Sequence, residues 1–193
     1  MNDMRKTDSR VRRTKLRLHR SLATLIHEKS YDAIVVKEIL ARADVARSTF
    51  YTHFDGKEEL LVSSIQHVLA TARERLPELS DPVDWLLYFS LPVLKHIEAH
   101  LQQAPVDAPR SGYRQVHRRL NMVLSEQVEA DIRRAPLDRA RPAVPPELLA
   151  KHLVTTFLVV IEWWLHRWPA PSAREAHVLY RALVEPAFHV DGA

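Results

Sequence analysis

Cysteine is absent from the 193 residues. Disulfide frameworks, thiolate metal sites and thiol nucleophiles are therefore excluded, and an intracellular, cytoplasmic setting is expected. Glycine occurs only three times, so no glycine-rich phosphate loop can form, and long β-branched runs are missing as well. No stretch approaches the roughly 18 to 20 continuous apolar residues of a membrane span, and the first residues, Met-Asn-Asp-Met-Arg-Lys, have no apolar core behind their charges. A chain with 46% apolar residues can nonetheless fill a core. The spacing of those residues is helical almost throughout, which predicts an all-α protein.

The charge is unevenly placed. Residues 1–60 hold 13 Lys and Arg against 9 Asp and Glu, whereas residues 61–193 hold 15 of each. All of the net +4 charge therefore lies toward the N-terminus, as expected if that end meets a polyanion.

Leu18, Leu22, Leu25 and Ile26 fall on one face of a first helix that ends near Lys29–Asp32. Val36, Ile39, Leu40 and Ala43 repeat the spacing over two turns, and Asp44 follows where a tight turn needs a residue tolerant of left-handed backbone. A third short helix carries Phe50 and Phe54 four apart, leaving Arg47, Ser48, Thr49, Tyr51 and His53 off the buried side. Asp55-Gly56 ends it, and a fourth helix runs through Leu61, Ile65, Val68, Leu69 and Leu76.

Helix, short helix, turn and short helix within about 45 residues is the layout of a helix-turn-helix reader, whose last helix enters the major groove. In that layout Arg12, Arg13 and Lys15 form a basic arm for phosphate or minor-groove contacts, with Lys37 and Lys57 as further cationic contacts.

Val36-Lys37-Glu38-Ile39, Ala43 through Phe54, and Lys57-Glu58-Glu59-Leu60-Leu61 closely resemble the signature of the tetracycline-repressor (TetR) family. The resemblance covers about residues 10–65. It implies a DNA-binding transcriptional regulator, a homodimer paired through its last two helices, and a C-terminal pocket for a small-molecule effector that releases the operator. By it, Arg47, Ser48, Thr49, Tyr51 and His53 face DNA, and Tyr51, His53 and Lys57 touch phosphates. Val35 and Ala46 stand where the family has capping Thr and Ser, and Asp44 replaces the usual turn glycine. The expected division is residues 1–56 for DNA binding and 57–193 for effector binding and dimerisation.

Beyond the motif, Asp81-Pro82 starts a helix through Leu101 that Pro92 should kink. Pro-rich segments at 104–112 and 135–146 flank a helix of about residues 113–134, and helices of about 146–168 and 172–187 follow. The kink suggests a pocket lined by Trp85, Tyr88, Phe89, His96, Tyr113, His117 and Met122. An apolar stripe through Leu153, Phe157, Val160, Trp164 and Trp168, with Leu179 and Leu183 of the last helix, suggests the dimer seam. His96 and His100, four apart with Glu98 between them, have the spacing of two metal ligands, but a third ligand would have to come from elsewhere, and no metal or cofactor is expected. With no nucleophile–base constellation either, the protein is not expected to be an enzyme. A helical interaction or metal-binding protein with an incidental basic arm is the competing reading; it predicts no salt-dependent DNA binding.

Overall fold

The computed structural model describes residues 2–79, 81–102, 113–134, 144–167 and 171–188. Among the described residues the secondary structure is helical and no strand occurs. The helices are α1 (Asn2–Glu28), α2 (Val36–Ala43), α3 (Arg47–Tyr51), α4 (Lys57–Arg73), α5 (Pro82–Leu86), α6 (Ser90–Leu101), α7 (Tyr113–Arg134), α8 (Pro146–Leu165) and α9 (Ala173–Val184). The chain divides into two compact units, Met1–Ile65 with His100–Val116, and Gln66–Ala99 with His117–Ala193. Trp168 and most of the three Pro-rich connections lie outside the described residues.

In the first unit, Leu18, Leu22 and Ile26 of α1 meet Ile39 of α2 and Phe50 and Phe54 around α3. Ion pairs fasten α2 to α1 at its edges. Arg42 donates two hydrogen bonds to the Glu28 carboxylate, at 2.6 and 2.8 Å, and Lys29 pairs with Glu38. These pairs are partly exposed and screened by solvent, so each adds little to stability. The missing cap at Val35 is half replaced, because Glu38 accepts the Val35 N–H at 3.0 Å. The Lys29 hydrogen bond and then this backbone bond hold the Glu38 carboxyl below its ordinary pKa. Asp44 adopts the predicted left-handed conformation, with φ 49° and ψ 56°. The expected basic arm is instead helical: α1 is continuous from Asn2 through Arg12, Arg13 and Lys15.

The core of the second unit is aromatic. Phe157 packs edge-on to Phe89 at 5.2 Å and to Tyr180 at 5.1 Å, geometries that add to the gain from burying the rings. The Tyr180 hydroxyl donates to the Leu153 carbonyl at 3.1 Å, and the Trp164 indole N–H donates to the Pro171 carbonyl at 2.6 Å. A full capping box between Ser172 and Glu175 starts α9.

One expectation is corrected here. Pro92 does not kink a long helix; the chain breaks at residues 87–89 and restarts as α6 at Ser90. Pro92 then lies in the first turn of α6, where its missing N–H costs nothing, and its clash with the carbonyl four residues back falls on the break itself. Among the described residues α8, with 20 residues, is the one helix long and apolar enough overall to cross a membrane, and more than half of its most apolar stretch is buried inside the protein as the core helix of the second unit.

Candidate nucleic-acid interface

α3 has only five residues, too few to be stable by itself. It is held from below by Phe50 and Phe54, which are buried and packed ring to ring at 5.7 Å. Fixing that side determines what faces out. Arg47 and Ser48 are exposed, Tyr51 is 46% exposed, and Thr49 and His53 are half-buried. The guanidinium of Arg47 lies 5.4 Å from the centre of the Tyr51 ring, a cation–π pair that aligns two prospective contacts before any ligand arrives. His53 is turned edge-on to Phe54 at 6.4 Å.

The outlying cations divide. Arg12, Arg13 and Lys37 are exposed. Lys15 is half-buried, its ammonium lying 5.6 Å from the centre of the Phe54 ring. Lys57, expected to meet a phosphate, instead donates to the carbonyls of Tyr31 at 2.9 Å, Asp32 at 3.2 Å and Ile34 at 2.8 Å. An ammonium has three N–H donors, and all three are used.

Two features of this face escaped the sequence reading. Arg17 donates to both the carbonyl and the carboxylate of Asp44, each at 2.8 Å, tying α1 to the turn before α3. Arg10, Arg13, Arg17 and Arg20 recur at helical spacing along α1 and are all exposed. That spacing was readable in advance; the Arg17–Asp44 contact, 27 residues apart, was not.

In the second unit the expected pocket residues do not share one environment. Tyr88 and Phe89 are buried, Trp85, His96 and His117 are half-buried, and Met122 is 43% exposed, so Met122 lines no interior. The side chain of Tyr113 lies outside the described residues. The Tyr88 hydroxyl donates to Asp131 at 2.7 Å. Arg73 donates to Asp131 at 2.6 Å, to Gln127 at 2.9 Å and to the Tyr88 oxygen at 3.2 Å. Burial, and then the bond to Asp131, push the Tyr88 phenol above its ordinary pKa, so it stays a donor. His100, the second of the spaced histidines, is buried against α1, 3.5 Å from the Thr24 hydroxyl and stacked on His27 at 6.2 Å. Among the described residues no group of three or more metal-ligating side chains comes together.

The predicted dimer stripe is corrected by burial. Leu153, Phe157, Val160 and Trp164 are at most 4% exposed within a single chain and belong to its core. The outer face of α8 instead carries Leu148, Val159 and Trp163, at 55%, 56% and 38% exposure. On α9, Leu179 and Leu183 are exposed as expected, at 43% and 58%, with Val178 beside them.

Residues 21–63 match the tetR family of bacterial regulatory proteins at its N-terminal domain. Over 100 residues the chain is 31% identical to YxbF of Bacillus subtilis, an uncharacterised helix-turn-helix-type transcriptional regulator; this covers 51% of the chain and 26% of that relative's length. A TetR transcriptional regulator of Streptococcus agalactiae is similar in fold, with a TM-score of 0.54 and 20% identity over 94% of this chain and 98% of that one. RolR in complex with resorcinol is similar at TM-score 0.58 and 18% identity, over 95% of this chain and 91% of its own.

Proposed function

We propose that this chain, whose N-terminal unit carries the tetR-family domain at residues 21–63, is a DNA-binding transcriptional regulator, a repressor released from its operator by a small molecule. One observation carries the reading: a five-residue helix is anchored by buried Phe50 and Phe54 and turns Arg47, Ser48 and Tyr51 to solvent. Such a face fits a major groove, with Arg47 suited to base edges and Tyr51 to phosphate. Thr49 and His53 are marginal contacts, and the exposed Arg12, Arg13 and Lys37 supply salt-dependent affinity. The DNA expected is a duplex with two half-sites, and the setting is the cytoplasm.

Two half-sites require two reading units about 34 Å apart. The outer faces of α8 and α9 supply the means of pairing: Leu148, Val159, Trp163, Val178, Leu179 and Leu183 are large apolar side chains left exposed on two helices that pack together. Patches of this kind mark association surfaces, and one patch meeting its own copy gives a closed two-fold dimer. Leu183→Glu combined with Val159→Glu should give monomers in sedimentation while leaving the helical circular dichroism unchanged. A double variant that remains dimeric would move the interface elsewhere.

The effector belongs to the second unit. RolR was crystallised with resorcinol, so a panel of small aromatic compounds, resorcinol included, is the first screen for release of bound DNA. Tyr88, with its hydroxyl held as a donor in the Arg73–Asp131 network, is the residue we expect an effector to perturb. Loss of DNA binding on adding such a compound, blunted by Tyr88→Phe, supports this placement; unchanged release by that variant contradicts it.

A further inference from the structure

Lys57 stands where a helix disfavours a cation. It opens α4, and the N-terminus of a helix is the positive end of its dipole. Acidic residues stand beside it, as expected there: Glu58 and Glu59, of which Glu59 accepts the Asp55 N–H at 2.6 Å. A lysine at this point therefore needs a reason of its own, and a phosphate would be one.

The structure supplies another. After α1 the chain makes one 3₁₀ turn, Tyr31–Ala33, and then extends at Ile34, with φ −76° and ψ 127°. The Tyr31 carbonyl accepts the Ile34 N–H at 3.1 Å within that turn and still faces the start of α4, as do the carbonyls of Asp32 and Ile34. The Lys57 ammonium meets all three, at 2.9, 3.2 and 2.8 Å. It also sits 4.7 Å from the centre of the Tyr31 ring, whose side chain is buried in the core of the unit. Three converging carbonyl dipoles and an aromatic face replace the hydration an ammonium loses.

We propose that Lys57 is a positioning residue for DNA reading. It fixes the Tyr31–Ile34 segment, which sets the entry of α2, against which α3 is packed, and it makes no phosphate contact. The inference rests on the DNA-binding reading for its functional half only; the bracing can be measured without DNA. A guanidinium is planar and larger than an ammonium, so it does not fit the space in which one compact ammonium nitrogen meets all three carbonyls, and arginine is a poor substitute for this brace although a good substitute for a phosphate ligand.

The test compares Lys57→Met and Lys57→Arg with the wild-type chain, recording thermal unfolding and the dependence of DNA affinity on salt. Both variants should melt at lower temperature and bind DNA about tenfold or more weakly, with the slope of log affinity against log salt unchanged. A Lys57→Met variant with wild-type melting and a slope shallower by about 0.9 would mark a lost phosphate contact, and recovery by Lys57→Arg would confirm that and overturn the proposal. If both variants fail to fold, nitrogen-15 NMR of the Lys57 ammonium in the wild-type chain decides. A slowly exchanging signal of unchanged shift in free and DNA-bound protein is expected; a fast-exchanging signal in the free protein, or one that moves on adding DNA, would refute the brace. A wild-type chain that binds no DNA at all would sink the regulator reading, while melting and the ammonium signal would still decide whether Lys57 braces the fold.

Discussion

The two units of this chain solve the same packing problem in opposite ways. In the first, short helices bury a few aromatic and aliphatic side chains and leave one face of a five-residue helix polar, aromatic and cationic. In the second, long helices bury an aromatic core and leave an apolar face outside. A reading surface must be fixed in shape but open to water and phosphate, so its anchors are apolar and its contacts are not. A self-association surface must be apolar on the outside as well, so exposure and burial there involve the same residue types.

The sharpest way to break the comparison is to remove one anchor from each unit. Phe50→Ala and Trp164→Ala should each cost about 3 to 5 kcal/mol of stability, since both rings are fully buried. Denaturant unfolding checks the magnitudes. Phe50→Ala should abolish DNA binding at temperatures where the second unit remains helical. Trp164→Ala should loosen the core and leave the outer face of α8 intact, so dimers should persist below its lowered melting point. Dissociation of folded Trp164→Ala into monomers would return that ring to the interface.

A smaller effect separates face from core within the first unit. Tyr51→Ala should weaken DNA binding by about 1 to 3 kcal/mol and lower the melting temperature far less than Phe50→Ala, because the ring is half-exposed and packs only on the Arg47 side chain and edge-on to Phe50 at 5.2 Å. A large loss of stability in that variant would show that the helix presents a different side.

The smallest effect is a dependence on pH. Burial holds the imidazoles of His100, His117 and His177 below the ordinary histidine value of 6.5. The unfolded chain takes up protons near pH 6.5 while the folded chain resists, so stability is full above that value and falls as the pH drops below it. Two of the three histidines lie in the second unit, which should lose more. Melting temperature measured from pH 7.5 down to pH 5 should decline, and less so in the double variant His117→Gln, His177→Gln. A flat profile in the wild-type chain would contradict the buried, neutral state of these rings.

Much of the first unit was legible before folding because its signals are local. The 50/54 spacing placed both anchors inside, and Asp44 marked the left-handed turn that the backbone adopts. Lys57 was legible only as a cation beside the reading helix; the carbonyls it meets in the DNA-free chain lie 23 to 26 residues earlier and carry no local signal. The second unit was harder for a physical reason. α8 is apolar on more than one side, so periodicity finds a stripe at 153, 157, 160 and 164 without telling core from interface. Packing against α9 and against Phe89 settles that the stripe is internal and that Leu148, Val159 and Trp163 lie outside. The Arg73–Asp131 pair, 58 residues apart, carries no sequence signal.

The central claim is that the exposed side of α3 reads DNA, and fluorescence anisotropy tests it most directly. The purified chain should be titrated onto duplex DNA flanking its own gene and onto unrelated duplex, at several salt concentrations. The account predicts tight binding that prefers the flanking DNA and falls steeply with salt, with the preference lost in Arg47→Ala. Binding that is weak, equal on both duplexes and indifferent to salt would contradict it.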